Sequence, residues 1–210
     1  MDQPARRLPA DQRRLQLFDV ALRLFADRGF ASTTMDDIAA AAGVTKPLLY
    51  QHFTSKRALY LELVESVAND MLSAINEATL AAEGPRQQVE AGFAAYFQLV
   101  VTHQNAFRLL FGSDLPDDPE VSRALRRVED TVAEAVDVLI DAGLDSEHRR
   151  LLAYAVVGMA EGASRHYLAE SDRPTSSDGS PNRSEDMEIA RLASRVSNLA
   201  WAGLRSVHPD

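Results

Sequence analysis

Apolar side chains recur at intervals of three and four residues along almost the whole chain, which is the spacing of one face of an α-helix. No stretch sustains the alternation of apolar and polar residues that is typical of a half-buried strand. The first apolar stripe consists of Leu15, Phe18, Leu22 and Phe25, and it stops at Gly29. The pattern therefore predicts an all-α protein of about nine helices.

Capping residues, prolines and glycines set the predicted ends of these helices. Thr34 offers an N-cap to a short helix that ends at Gly43. Pro47 fits only the first turn of a helix, because no hydrogen bond is lost there, and it disfavours helical geometry at Lys46, so the N-cap of the next helix is Thr45 or Lys46. The predicted helices cover residues 11–28, 34–42, 45–53, a long fourth helix capped by Ser55, and then 85–103, 106–111, 120–141, 146–170 and 185–207.

Charge is distributed unevenly along the chain. The net charge is −9, yet residues 1–57 hold nine Lys and Arg against six Asp, a balance of +3. The remaining 13 basic residues face 25 acidic ones. Phosphate binding depends largely on Lys and Arg. The distribution therefore predicts a basic domain, 1–57, for an anionic polymer and an acidic domain, 58–210, with a different task.

Several function classes are unsupported by the sequence. The chain has no cysteine, so neither a disulfide nor a zinc–thiolate site is expected. It has no apolar run of about 18 residues, the length of a membrane helix, and its N-terminus is polar where a signal peptide is apolar. No hydrolase, metalloprotease or nucleotide-binding motif occurs. We expect a cytoplasmic protein that is not an enzyme and uses no metal or cofactor.

Residues 43–53, GVTKPLLYQHF, join two short predicted helices through a tight turn. Helices this short are not stable alone, so apolar residues such as Ile38, Leu49 and Phe53 must dock them. Ala39 is small enough for two helices to cross closely, as in a helix-turn-helix. The second helix then turns polar side chains outward and fits the major groove of DNA. From these residues alone, an ordinary helical hairpin with a solvated surface is the alternative.

Residues 31–63, ASTTMDDIAAAAGVTKPLLYQHFTSKRALYLEL, resemble the DNA-binding segment of the tetracycline-repressor (TetR) family of bacterial transcriptional regulators. The resemblance extends back to about residue 12. It implies a homodimer that binds a palindromic operator and is released by a small-molecule effector, with repression as the expected outcome. The alternative is a helical ligand-binding or partner-binding module without DNA binding. The resemblance is carried by Thr34, Ile38-Ala39, Ala42-Gly43-Val44, Leu49-Tyr50, His52-Phe53 and Ser55-Lys56.

The resemblance also implies which residues contact DNA. Leu48 departs from the small or hydroxyl-bearing residue often found at its position, and an apolar side chain there favours a thymine methyl group. The N-terminal arginines, Arg6, Arg7, Arg13 and Arg14, are predicted to form a basic arm, with a solvated tail as the alternative. Predicted phosphate contacts come from Thr34, Tyr50, His52 and Lys56, and predicted base contacts from Thr45, Lys46, Leu48 and Gln51.

Aromatic residues are concentrated between residues 93 and 111. Five of the thirteen Phe and Tyr of the chain fall in this stretch, a density that suits a small apolar ligand. For each residue alone, a place in the ordinary core is the alternative. The predicted ligand-binding residues are Met71, Phe93, Tyr96, Phe97, Val100, Phe107, Phe111, Tyr154 and Met159.

The last two predicted helices carry stripes of small and apolar residues that favour close helix contact. A two-fold dimer through these helices is predicted, which the resemblance also implies, and packing within one chain is the alternative. Residues 171–184 between them are too rich in Ser, Pro and Asp to pack, which predicts a mobile loop. The stripes are Ala155, Gly158, Met159, Gly162 and Ala163 in the eighth helix, and Ile189, Leu192, Val196, Leu199, Gly203 and Val207 in the ninth.

Overall fold

A computed structural model of the chain describes residues 9–111, 118–140, 143–171 and 183–208. Within these ranges the regular secondary structure consists of nine α-helices without a strand, so the predicted all-α class is confirmed. The helices are Ala10–Ser32 (α1), Met35–Ala41 (α2), Lys46–His52 (α3), Lys56–Leu80 (α4), Pro85–Thr102 (α5), Gln104–Phe111 (α6), Pro119–Asp137 (α7), Ser146–Ser171 (α8) and Arg183–Leu204 (α9).

Local sequence explains where most of the helices begin and end. Gly29 interrupts α1 with a φ of 75°, in the left-handed region that favours glycine. Pro85 and Pro119 occupy the first turns of α5 and α7. The N-cap of α4 is Ser55, whose hydroxyl accepts the N–H of Ala58 at 3.0 Å.

Several predicted boundaries are wrong: α1 ends at Ser32 and not at residue 28, and α9 ends at Leu204 and not near residue 207. Helix α7 ends at Asp137 and not at residue 141. Beyond it, the N–H groups of Leu139 and Ile140 bind carbonyls three residues earlier, which tightens the chain into a turn. The predicted loop 171–184 is too long, because α8 includes Ser171 and α9 begins at Arg183. The rest of that loop lies outside the described residues.

One hydrophobic core holds the N-terminal helices together and also includes parts of the body. Leu17, Ile38 and Leu49 are fully buried in it. Leu109 of α6 and Val121 of α7 belong to the same core. The hydroxyl of Tyr60 in α4 donates to the carbonyl of Leu109 at 2.9 Å, and burial raises the pKa of Tyr60 to about 12. Helices α6 and α7 therefore lie directly against the N-terminal bundle.

A second core occupies the body, where α5 packs against α4 and α9. Phe97 and Phe107 are buried at its centre, and the ring of Tyr96 meets both edge-on at 5.2 and 5.3 Å. A smaller cluster joins α7 to α8. No helix in the described part of the chain is long and apolar enough to cross a membrane. The division into domains 1–57 and 58–210 stays a prediction.

Candidate nucleic-acid interface and cavity

The turn between α2 and α3 is built by a capping box and a glycine. Thr34 caps α2: its hydroxyl accepts the N–H of Asp37 at 3.1 Å, and its own N–H donates to the Asp37 carboxylate at 2.9 Å. The hydroxyl and then the N–H of Thr34 lower the pKa of Asp37. Gly43 follows α2 with a φ of 65°. The N–H of Val44 then returns to the carbonyl of Ala39 at 2.9 Å, which closes the turn.

Helix α3 is docked through one side and exposed on the other. Leu49 and Phe53 are buried to 0% and 1% exposure beneath it. The predicted contact residues Leu48 and His52 are half-buried. The other four predicted contact residues of this segment, Thr45, Lys46, Tyr50 and Gln51, are exposed.

An acidic neighbour holds the ammonium group of Lys46. Its Nζ lies 2.9 Å from Oδ1 of Asp36 in α2, and both side chains are more than half exposed. The hydrogen bond with Asp36, and then the charge of that carboxylate, raise the pKa of Lys46. An anion that approaches Lys46 must therefore compete with Asp36.

Lys56, at the start of α4, closes the junction between α1 and α2. Its Nζ donates to the carbonyls of Phe30 at 2.7 Å and Thr33 at 2.8 Å, and lies 4.2 Å from the centre of the Phe30 ring. Burial lowers the pKa of Lys56. The hydroxyl of Thr33 donates to the carbonyl of Gly29 at 2.8 Å in the same junction. A phosphate contact by Lys56 stays a prediction, and it competes with these carbonyls.

Arg14, which the sequence predicts in a basic arm, instead contacts α3 and α4. Its guanidinium donates to the carbonyl of His52 at 3.0 Å, pairs with Glu62, and lies 4.6 Å from the ring centre of Phe53. One side chain of α1 thus contacts the end of α3 and the first half of α4. Arg13 and Arg14 belong to α1 and not to an arm, whereas the predicted Arg6 and Arg7 lie outside the described residues.

A cavity of about 400 Å³ lies in the body between α4, α5, α7, α8 and α9. The predicted residues Met71, Phe93, Tyr96 and Phe111 line it, together with residues of α7 that were not predicted. The hydroxyl of Tyr154 instead binds Asp130. The other predicted ligand residues also lie elsewhere among the described residues: Phe97, Val100 and Phe107 in the second core and Met159 beside it.

Helices α7 and α9 supply much of the cavity wall. Val128, Val132 and Val136 of α7 point into it at intervals of four residues, a spacing that is visible in the sequence. Trp201 and Leu204 come from the end of α9. The lining is mostly apolar, as is typical of small-molecule binding sites.

Polar side chains interrupt this lining at few places. Glu129 and Glu161 belong to the wall, and Arg205 and His208 lie at the C-terminal end of α9. Burial, and then the nearby charge of Glu129, raise the pKa of Glu161, while Arg165 at 2.9 Å acts in the opposite direction. No cluster of three or more metal-binding side chains is found in the described ranges. Because its wall is mostly apolar with a few polar side chains, the cavity suits an amphipathic molecule.

The outer face of α8 and α9 has no covering within the described chain. Leu151, Met187 and Leu199 are 66%, 62% and 64% exposed. Added Cβ atoms at Gly158 and Gly162 would meet no atom of the described residues within 4 Å, apart from the adjacent residues and the nearby backbone of α8 itself. Only part of the predicted ninth-helix stripe is exposed, because Ile189, Leu192 and Val196 pack into the second core of the same chain.

Comparison with known proteins finds a matching family model and a similar relative. The family model described as bacterial regulatory proteins, tetR family, matches residues 17–63. The HTH-type transcriptional activator FasR of Mycolicibacterium smegmatis (strain ATCC 700084 / mc(2)155) is 35% identical over 203 residues, which are 96% of this chain and 87% of FasR. These matches cover both the helix-turn-helix and the body.

Solved structures share the fold. The crystal structure of a TetR-like transcriptional regulator from Rhodococcus sp. RHA1 superposes with a TM-score of 0.75 at 25% identity, over 96% of this chain and 100% of that one. The structure of FadR from Bacillus subtilis in complex with stearoyl-CoA superposes with a TM-score of 0.72 at 15% identity, over 92% and 99%.

Proposed function

Because the chain belongs to the TetR family of bacterial transcriptional regulators, we propose that it binds a palindromic DNA site as a homodimer and releases it when an amphipathic effector fills the cavity. Like its relatives, it is a transcription regulator and not an enzyme. One observation carries the DNA-binding part: α3 is anchored by buried Leu49 and Phe53 while Lys46, Tyr50 and Gln51 remain exposed.

The exposed face of α3 supports two kinds of contact with DNA, one to base edges and one to phosphates. Thr45, Lys46 and Gln51 read base edges in the major groove, with a contact from half-buried Leu48 to a thymine methyl group. Thr34, Tyr50, His52 and Lys56 bind phosphates and fix the position of α3 on the duplex. Lys46 must leave Asp36 in order to act, so part of its interaction with DNA replaces an existing ion pair.

The uncovered face of α8 and α9 supports dimerisation by a second copy of the chain. Exposed Leu151 and Leu199 provide apolar area, and the glycines of α8 allow close approach of the partner helix. A dimer places the two α3 helices on successive major grooves when they lie about 34–36 Å apart.

An acyl chain with a polar head is the effector class that we propose. The wall of the cavity is mostly apolar, and Gln88, Arg205 and His208 line the same cavity and offer partners to a head group. FadR of Bacillus subtilis, which shares the fold, has been solved with stearoyl-CoA. An effector that binds one spacing of the two α3 helices better than the other shifts the population of the dimer.

Repression is the direction expected from the family, and FasR is named as an activator. Repression and activation can both result from release of the protein from DNA by the effector. Release from a site that overlaps a promoter permits transcription, whereas release from a site upstream of a promoter removes an activator. The position of the operator therefore decides the sign of regulation.

Selection of bound sequences from random duplex DNA tests the proposal. The purified protein should enrich a palindrome, and Lys46→Gln or Tyr50→Ala should greatly reduce its retention. Arg86→Gln is the matched control, because Arg86 is also an exposed cation in an ion pair, with Glu90 at 2.8 Å. An enriched pool that remains random would contradict DNA binding.

Release by the effector is tested with the enriched palindrome. Stearoyl-CoA should displace the palindrome from the protein, whereas coenzyme A, which lacks the acyl chain, should not. Equal displacement by both compounds would show that the apolar cavity plays no part in release.

A further inference from the structure

Helix α7 links the N-terminal core to the cavity. Val121 and Ala124 near its start are buried in the core that surrounds α2 and α3. Val128, Val132 and Val136 further along line the cavity. One continuous helix spans these positions, and at a rise of about 1.5 Å per residue Val121 and Val136 lie about 22 Å apart along it.

The start of α7 is joined to the start of α4 by an ion pair. Nη2 of Arg57 lies 2.5 Å from Oδ2 of Asp118, and Nη1 lies 3.7 Å from the carboxylate of Glu120. The Asp118 side chain is only 13% exposed. It is also the N-cap of α7, where it accepts the N–H groups of Glu120 at 2.9 Å and Val121 at 3.3 Å.

The surroundings of Asp118 keep its carboxylate charged. Desolvation alone would raise the pKa of Asp118, but the N–H donors of Val121 and Glu120, together with the Arg57 guanidinium, outweigh it and lower that pKa. The ion pair is therefore present at neutral pH.

The residue that precedes Arg57 in the chain contacts the DNA-binding helices. This residue is Lys56, whose ammonium binds the carbonyls of Phe30 and Thr33 at the junction of α1 and α2. Four residues before Lys56, α3 ends at His52. Arg57 thus connects the first turn of α7 to the segment that holds α3 in place.

We propose that the Arg57–Asp118 pair transmits occupancy of the cavity to the DNA-binding helices. The inference rests on the proposed function, since it presupposes both DNA binding and an effector. An effector that moves α7 carries Asp118 with it, so either Arg57 follows and shifts the start of α4, or the pair breaks. Effector and DNA affinities are coupled in this way, and each ligand changes the affinity for the other by the same factor.

A double-mutant cycle tests the pair. Asp118→Asn removes the charge but keeps a good N-cap residue, and Arg57→Gln removes the cation. The dissociation constant of the enriched palindrome is measured by fluorescence anisotropy at fixed salt, with and without stearoyl-CoA. The ratio of the two constants is the coupling factor, typically about 5 to 150 for an allosteric protein.

Each single variant should reduce this factor at least about fivefold, and the double variant should reduce it no further, because both changes remove the same link. Arg86→Gln should leave the factor unchanged. Full wild-type coupling in both folded single variants, or losses that multiply in the double variant, would overturn the inference.

Effector binding is measured separately through the single tryptophan of the chain, Trp201, which lines the cavity. Its fluorescence should report the same stearoyl-CoA affinity in the wild type and all variants, within about threefold. A variant that loses this affinity has a damaged cavity, and that outcome counts against a role limited to transmission. If Asp118→Asn does not fold, Arg57→Gln and Arg57→Ala replace it, because each removes the cation of the pair, and a factor equal to that of the wild type in both again overturns the inference.

Failure of the proposed function looks different. A wild-type protein that retains no palindrome, or that keeps it in the presence of bound stearoyl-CoA, contradicts the regulator proposal before any variant is compared. The inference about Arg57 and Asp118 falls with it.

Discussion

The N-terminal helices and the body use polar side chains in different ways. Around α3, Arg14 and Lys56 donate to carbonyls of other segments, at His52, Phe30 and Thr33. In the body, several hydroxyls bond back to their own helix. They include those of Thr79, Thr102 and Ser164, each of which donates to the carbonyl four residues earlier.

This difference explains how one chain combines a rigidly held DNA-binding helix, α3, with a cavity that can adapt to a ligand. Hydrogen bonds between helices are directional and hold α3 in one orientation. Contacts between the body helices are mostly apolar, and apolar attraction has no preferred direction. A ligand can enter a cavity lined by such contacts while few directional hydrogen bonds are broken. Around α3, by contrast, a small change breaks the hydrogen bonds that hold the helix in the orientation that DNA requires.

The largest effect is expected from a buried residue of the N-terminal core. Leu49→Ala should lower the free energy of unfolding by about 2–5 kcal/mol, because Leu49 is fully buried beneath α3. Val132→Ala, at the wall of the existing cavity, should cost about 1–1.5 kcal/mol, since it removes two methyl groups worth about 0.8 kcal/mol each at full burial and Val132 is only half-buried. Urea unfolding followed by circular dichroism measures both. Equal losses would show that the two regions are packed alike.

The polar links give the next largest difference. Lys56→Met should destabilise the protein by about 1–3 kcal/mol, because it removes the donor shared by the carbonyls of Phe30 and Thr33. Thr79→Val is the matched change in the body. It should cost about 1 kcal/mol or less, since the Thr79 hydroxyl donates to carbonyls of its own helix. A larger loss in Thr79→Val than in Lys56→Met, in the same unfolding measurement, contradicts the comparison.

The same contrast explains what could be predicted from the sequence. Helix ends around α3 follow from neighbouring residues, because the capping box of Thr34, the turn at Gly43 and the position of Pro47 are all local signals. The bond from Arg14 to His52 joins residues 38 positions apart, and no local pattern reveals it.

The cavity was harder to predict for a related reason. Phe93 and Phe97 lie one turn apart on α5 and both are buried, yet Phe93 lines the cavity and Phe97 lies in the core. Burial alone does not separate these two roles. The separation depends on how α7 and α9 meet α5, which is set by contacts between distant parts of the chain.

A cavity-filling change should separate effector binding from DNA binding. Val132→Phe places extra volume in the cavity wall and should weaken stearoyl-CoA binding at least about tenfold, or about 1.4 kcal/mol, as followed by Trp201 fluorescence. Its affinity for the palindrome should stay within about threefold of the wild type, because α3 is held by other contacts. Val138→Phe is the control, since Val138 is 80% exposed at the end of α7. Equal weakening by both variants would mean that the cavity does not hold the acyl chain.

The smallest effect is expected at the surface of α2. Asp36→Asn removes the carboxylate that holds Lys46 and should strengthen DNA binding a few-fold, since the ammonium is then free to meet the duplex. Lys46 is proposed to read base edges, but its freed charge also neutralises part of the nearby phosphate charge, so the slope of log K against log salt should steepen by up to about 0.9, the contribution of one neutralised phosphate. Glu90→Gln, which frees Arg86 on the body, is the matched control and should leave both affinity and slope unchanged. Anisotropy titrations at several salt concentrations measure them. An unchanged affinity and an unchanged slope in Asp36→Asn would show that Lys46 does not contact the DNA. Asp36 is the only carboxylate close to Lys46 among the described residues, so its removal must otherwise change the affinity or the slope.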